Sequence, residues 1–230
     1  MTQQSNDPTT QPKNRDWLAY CLPMILFMLI TALVEPYFVS QFVAVYCAKV
    51  ILVTASLFAT YRIWKPDVKL EGKWILPGAI VGLVIIVLWF ALDPYTPQLS
   101  ILGKRTEYNP YEKIDSAAVR NVFLAFRFFG LVVMVPIMEE IFWRSFLIRY
   151  ITNENFRSVP MGTFSVGAFA FVAIGFALAH PEWLAALMCA ALLAGLLRWS
   201  KSLWACIVAH AVANLALGIY VLQTGQWKFW

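Results

Sequence analysis

The chain has 230 residues, of which 60% are hydrophobic and only 13% charged, and its mean hydropathy is +0.66. Soluble domains are about half apolar and about a quarter charged, so this balance excludes a soluble enzyme, a disordered chain and a nucleic-acid-binding domain. The net charge of +5 does not point to nucleic acid either, because the basic residues sit at the edges of apolar blocks, the membrane pattern.

Residues 1–16 are polar, lack periodicity and read as a disordered tail; residues 17–230 read as a single transmembrane domain. Seven apolar segments follow the tail: 17–34, 39–61, 74–92, 121–138, 158–179, 183–197 and 202–227. Lys49 and Arg127 are the only formal charges inside them. A bilayer core takes about 20 apolar residues as a helix. Backbone polar groups in lipid must be satisfied within the segment, and the period-two alternation of a membrane barrel is absent. The expected fold class is all-α: a polytopic transmembrane helix bundle of about seven spans plus an interfacial amphipathic helix. The first segment contains Pro23 and no small-x-small cleavage site, so it reads as a retained span rather than a cleaved signal.

The interfacial helix is expected at 111–128, after a long connection that carries Pro94, Pro97 and Pro110. The fourth span then runs from near Arg127 to about Tyr150. Glu139 and Glu140 would lie near mid-membrane, Glu139 being about 18 Å from Arg127 at about 1.5 Å per residue. Pro136 predicts a kink one turn before them. Lys13, Arg15, Arg62, Lys65, Lys69, Lys73, Arg144, Arg149, Arg157, Arg198 and Lys201 fall on one side of the expected topology. Lys104, Arg105, Lys113 and Lys228 fall on the other, which puts the N-terminus in the cytoplasm and the C-terminus outside. The protein is thus expected to be integral to the membrane and multi-pass, in the inner membrane for a bacterial cell. Cys21, Cys47, Cys189 and Cys206 lie in apolar stretches without metal or redox spacing, and read as small hydrophobes.

Few ionisable groups fall inside spans, where such groups are expensive and functional by default. Among the acidic residues and histidines they are Glu139, Glu140 and the chain's two histidines, His180 and His210, with Asn214 nearby. Glu140 and Arg144 are i, i+4 and can pair. Phe176 and His180, and His210 and Asn214, share that spacing. Neighbouring residues on a helix point about 100° apart, so only one of the two glutamates can pair with Arg144, and the other is free for chemistry. A carboxylate beside an imidazole in a dehydrated cavity is a general base for water. A second imidazole and an amide are donors for a developing oxyanion. This set suits hydrolysis of an amide. No GxSxG or HExxH occurs, although two histidines and a glutamate could hold zinc. Buried Glu and His also make proton pathways, so a proton-coupled transporter is the competing reading; no self-similarity between the halves supports it.

Counting residues puts His180 near the outer end of the fifth span and His210 about a third of the way in from the opposite face. Convergence requires Pro160, Gly162 and Gly167 to set the fifth span deeper, or Pro181 to end it inside the bundle. Gly167, Ala191, Gly195, Ala209 and Ala213 are small enough for close helix approach.

Glu139-Glu140-x-x-x-Arg144, Phe176-x-x-x-His180 and His210-x-x-x-Asn214 together resemble the three motifs of the CPBP family, the CAAX-protease and bacteriocin-processing intramembrane glutamic endopeptidases that include Rce1. The resemblance covers residues 120–222. Chain size and the stretch 93–120 also resemble CAAX-protease-like domains of exosortase systems. The resemblance implies a metal-independent endopeptidase with no cofactor. Glu139 and His180 would activate water, and His210 and Asn214 would stabilise the oxyanion. Glu140 and Arg144 would order the site, Arg144 also positioning substrate. Zinc is the alternative. The implied partners are membrane lipids and a peptide or protein substrate, with a lipidated C-terminus in the best-known relatives, and no nucleic acid. A catalytically silent member acting as a membrane chaperone or immunity factor would carry the same motifs.

Overall fold

A computed structural model describes residues 16–97 and 107–229. The expected polar tail through residue 15, and Lys104 and Arg105, lie outside the described residues. Among the described residues, six helices are long and apolar enough to cross a membrane, and a seventh apolar helix is shorter. In chain order they are α1 Asp16–Leu33, α2 Phe42–Trp64, α3 Ile75–Leu92, α4 Ala117–Thr152, α5 Val166–Leu178, α6 Trp183–Ser200 and α7 Leu203–Thr224. Large apolar side chains such as Phe58, Leu76, Val87 and Phe171 face outward. That is the expected surface of a protein whose solvent is hydrocarbon, and the chain is an integral, multi-pass membrane protein.

The helix ends have local causes. Ser202 Oγ accepts from Ala205 N at 3.4 Å to open α7, and Gly225, at φ 68°, closes it. Ser116 caps α4 in the same way. The expected interfacial helix is interrupted: a short helix, Pro110–Lys113, ends at extended Ile114, and the amphipathic piece Ala117–Phe129 continues directly into the fourth span.

α5 has only 13 residues. Pro160 and the turn at Gly162, φ +80°, hold residues 159–165 out of the helix. A Cβ at Gly162 would lie 2.7 Å from Leu197 O near the end of α6, so this loop packs at the α6–α7 turn. At about 1.5 Å per residue α5 covers about 20 Å, about 10 Å short of a hydrocarbon core. His180 follows its last turn, and residues 179–182 carry the chain on to α6. Pro160 and Gly162 thus lie before α5, and Pro181 lies in the turn after it.

α3 and α7 touch backbone to backbone. A Cβ on Gly78 would sit 2.8 Å from Ala205 O, and one on Gly82 2.3 Å from Ala209 O. Small residues one turn apart permit such an approach. Of the small residues expected to do this, Ala209 is in the contact, whereas Gly167 and Gly195 face open space.

Two arginines counted as loop charges are buried within α4. Arg144 is 2% exposed, and Arg149 is 5% exposed with its Nη2 2.5 Å from Asp67 Oδ2. Asp67, in the turn after α2, also accepts from Ser145 Oγ at 2.6 Å and Tyr20 OH at 2.8 Å. This cluster fastens α1 and the α2–α3 turn to α4. Lys49, buried within α2, pairs with Glu35 at 2.6 Å and with Thr31 at 3.1 Å.

Candidate active site

α4 departs from α-geometry where it carries the glutamates. It is a π-helix over Gly130–Met134, α over Val135–Glu139, and π again over Glu140–Leu147. Such widenings are rare and cluster at functional sites. Pro136 lies between the two and removes a backbone donor.

Glu140 is fully buried, and its Oε1 is 3.1 Å from Arg144 Nη1 and 2.8 Å from His210 Nδ1. The ring N–H therefore donates to the carboxylate, which links α4 to α7. Arg144 lies over the Phe176 ring, 4.4 Å from its centroid, and Phe176 packs at 4.5 Å against the His180 ring. The three expected motifs thus form one chain of contacts from His210 through Glu140, Arg144 and Phe176 to His180.

Glu139, one residue before Glu140, is 7% exposed, and its Oε2 has no hydrogen-bond partner among the described residues. His210 and Arg144 act on it electrostatically. His180 Nδ1 lies 2.7 Å from Phe176 O. A carbonyl only accepts, so Nδ1 carries the proton, and in the neutral ring the lone pair is on Nε2. The same reasoning at His210 makes Nε2 a donor only in the imidazolium form. Asn214 Nδ2 donates to Leu131 O on α4 at 2.8 Å. Among the described residues no group of three or more His, Cys, Asp or Glu side chains is placed to hold a metal ion.

Two tryptophans join the site without belonging to any motif. Trp89 on α3 meets the His180 ring edge-on at 6.1 Å, and Trp143 meets Phe176 at 5.9 Å. Both indole nitrogens are buried without a hydrogen-bond partner among the described residues. Tryptophans abound in the apolar runs, and nothing in their spacing marks these two. An apolar groove of about 320 Å³ runs between α4 and α7, lined by Val132, Ile137, Ile207, Ala211 and Leu215 among others. Ala211 and Leu215 directly follow His210 and Asn214.

Residues 121–216 match a family model described as type II CAAX prenyl endopeptidase Rce1-like. This stretch of α4 to α7 is similar to that family's domain and contains all seven expected site residues. The match does not reach an exosortase-associated branch. No curated protein and no solved structure matches the chain.

Proposed function

We propose that the chain is an intramembrane endopeptidase that hydrolyses a peptide bond with activated water. The observation that carries this reading is Glu139: a buried carboxylate in a membrane helix whose Oε2 has no hydrogen-bond partner among the described residues, beside a glutamate whose Oε1 is engaged by Arg144 and His210. The similarity of residues 121–216 to an Rce1-like endopeptidase agrees with it.

In the proposed step Glu139 takes a proton from water as the water oxygen bonds to the scissile carbonyl carbon, and the carbonyl π electrons move to oxygen. His180 orients the water through Nε2, its ring held by the Phe176 carbonyl. His210, as imidazolium, donates from Nε2 to the oxyanion while Glu140 holds its other nitrogen. Collapse breaks the C–N bond, and the proton held by Glu139 passes to the leaving amine. Arg144 balances Glu140 and fixes Phe176. The substrate class we infer is a membrane-bound peptide or protein. A lipidated C-terminus follows from the prenyl endopeptidase similarity alone. The N-terminus is placed in the cytoplasm on the loop charges that remain after Arg144 and Arg149 are set aside.

The test is cleavage of a peptide library in detergent by the wild type, Glu139→Ala and His180→Ala, with and without a chelator. Either substitution should abolish cleavage, and the chelator should not. Activity lost to chelator and restored by zinc would replace the glutamate mechanism with a metal one. Full activity in Glu139→Ala would remove Glu139 from its role.

A further inference from the structure

α4 loses a backbone hydrogen bond just before its glutamates. Within the π turn, Val135 N–H reaches back five residues to Gly130 O. The next donor in that register would be residue 136, a proline, which has no N–H. Leu131 O is thereby deprived of the donors at 135 and 136. An unpaired carbonyl is costly in a membrane interior. Asn214, on a different helix, gives its amide N–H to Leu131 O.

The pairing constrains rotation as well as depth. A π turn holds one residue more than an α turn, so its relaxation to α geometry would rotate the helix beyond it by about 100° and shift it by about 1.5 Å. Glu139 and Glu140 lie beyond it. A rotation of that size would carry Glu140 away from His210, which is one turn from Asn214 on α7.

We propose that Asn214 is a positioning residue: its amide supplies the hydrogen bond that Pro136 cannot, and this tether locks the register of α4 so that the glutamates face His210. The proposal rests on the endopeptidase reading for its catalytic consequence, while the tether itself does not.

The test is a double-mutant cycle of wild type, Pro136→Ala, Asn214→Ala and Pro136→Ala/Asn214→Ala, read by thermal midpoint in detergent and by kcat and KM on a library peptide. Alanine at 136 restores a backbone N–H for Leu131 O. Asn214→Ala should lower the midpoint by about 4 °C or more in the wild-type background, and by less than half as much beside Pro136→Ala. It should lower kcat about hundredfold with little change in KM, and Pro136→Ala should return about tenfold of that loss. Equal midpoint losses in the two backgrounds would overturn the tether. Coupled midpoints with no recovery of kcat would overturn the positioning role and leave Asn214 as a direct oxyanion donor. If Asn214→Ala does not fold, recovery of a folded protein by Pro136→Ala supports the tether, and its failure overturns it. A wild type that cleaves no peptide would sink the endopeptidase reading, and the midpoint cycle would still decide the tether.

Discussion

Gly82→Ala is a sharp test of how α3 and α7 are held. The added Cβ would lie 2.3 Å from Ala209 O and 3.0 Å from Val212 Cβ. Ordinary contact begins at 3.4 Å, so the helices must separate by about 1.1 Å at this point. The obstacle is backbone, which cannot swing aside as a side chain can. Overpacking of this kind costs about 1–3 kcal/mol. For a chain of this size that is a midpoint lowered by about 2–12 °C. The residue after Ala209 is His210, whose Nδ1 is 2.8 Å from Glu140. A shift of about 1 Å takes that pair out of hydrogen-bond range and would cost about a hundredfold in cleavage. The control is Gly195→Ala on α6, where the new methyl meets nothing within 4 Å. Alanine replaces glycine in a helix there, with an expected gain of about 0.5–1 kcal/mol. The assay is thermal unfolding in detergent with parallel peptide cleavage. An unchanged midpoint in Gly82→Ala, or an equal effect of the two substitutions, would refute the close approach.

Other substitutions probe the site and its supports. Glu140→Gln leaves Arg144 buried without its counter-charge and should destabilise by about 3–5 kcal/mol; adding Arg144→Met should recover much of that in the melt. Phe176→Leu removes the ring between Arg144 and His180, and should lower kcat more than it raises KM in the library-peptide assay. Asp67→Asn should lower the melting midpoint by weakening the tie to Arg149, and should do so less in an Arg149→Met background. For orientation, a cysteine at Lys69 should react with an impermeant maleimide only after the cells are opened, and one at Lys113 in intact cells. The reverse pattern would invert the topology.

The helical type of the elements was legible because lipid leaves a charge-free apolar run of sufficient length little choice but to be helical. The start of α5 was less so: Pro160 and Gly162 signal a turn, but the uncharged run from 158 hides where the helix begins. Glu140 pairing with Arg144 could be read from the spacing, since both lie on one stretch of helix. Glu140 pairing with His210 could not, because 70 residues separate them and only the packing of α7 on α4 brings them together. Arg149 looked like a loop charge because its counter-ion, Asp67, lies 82 residues earlier. The small residues illustrate the same limit. Ala209 was visible as a candidate for close approach, but its partner Gly82 was not, because smallness says nothing about which face a neighbour will occupy.

The shortness of α5 bears on the membrane itself. A helix of about 20 Å against a hydrocarbon layer of about 30 Å is a local hydrophobic mismatch, of the kind bilayers meet by thinning, snorkelling of flanking residues or oligomerisation at a cost of fractions of a kcal/mol per Å. Residues 179–182, His180 among them, form the turn from α5 to α6 as irregular backbone, which lipid tolerates only where protein or water covers it. A thinned bilayer brings the water phase closer to the place where hydrolysis needs a water molecule. Bilayers of longer acyl chains would stretch the mismatch at α5 first, so lipid thickness becomes a variable acting on the site without touching any of its residues.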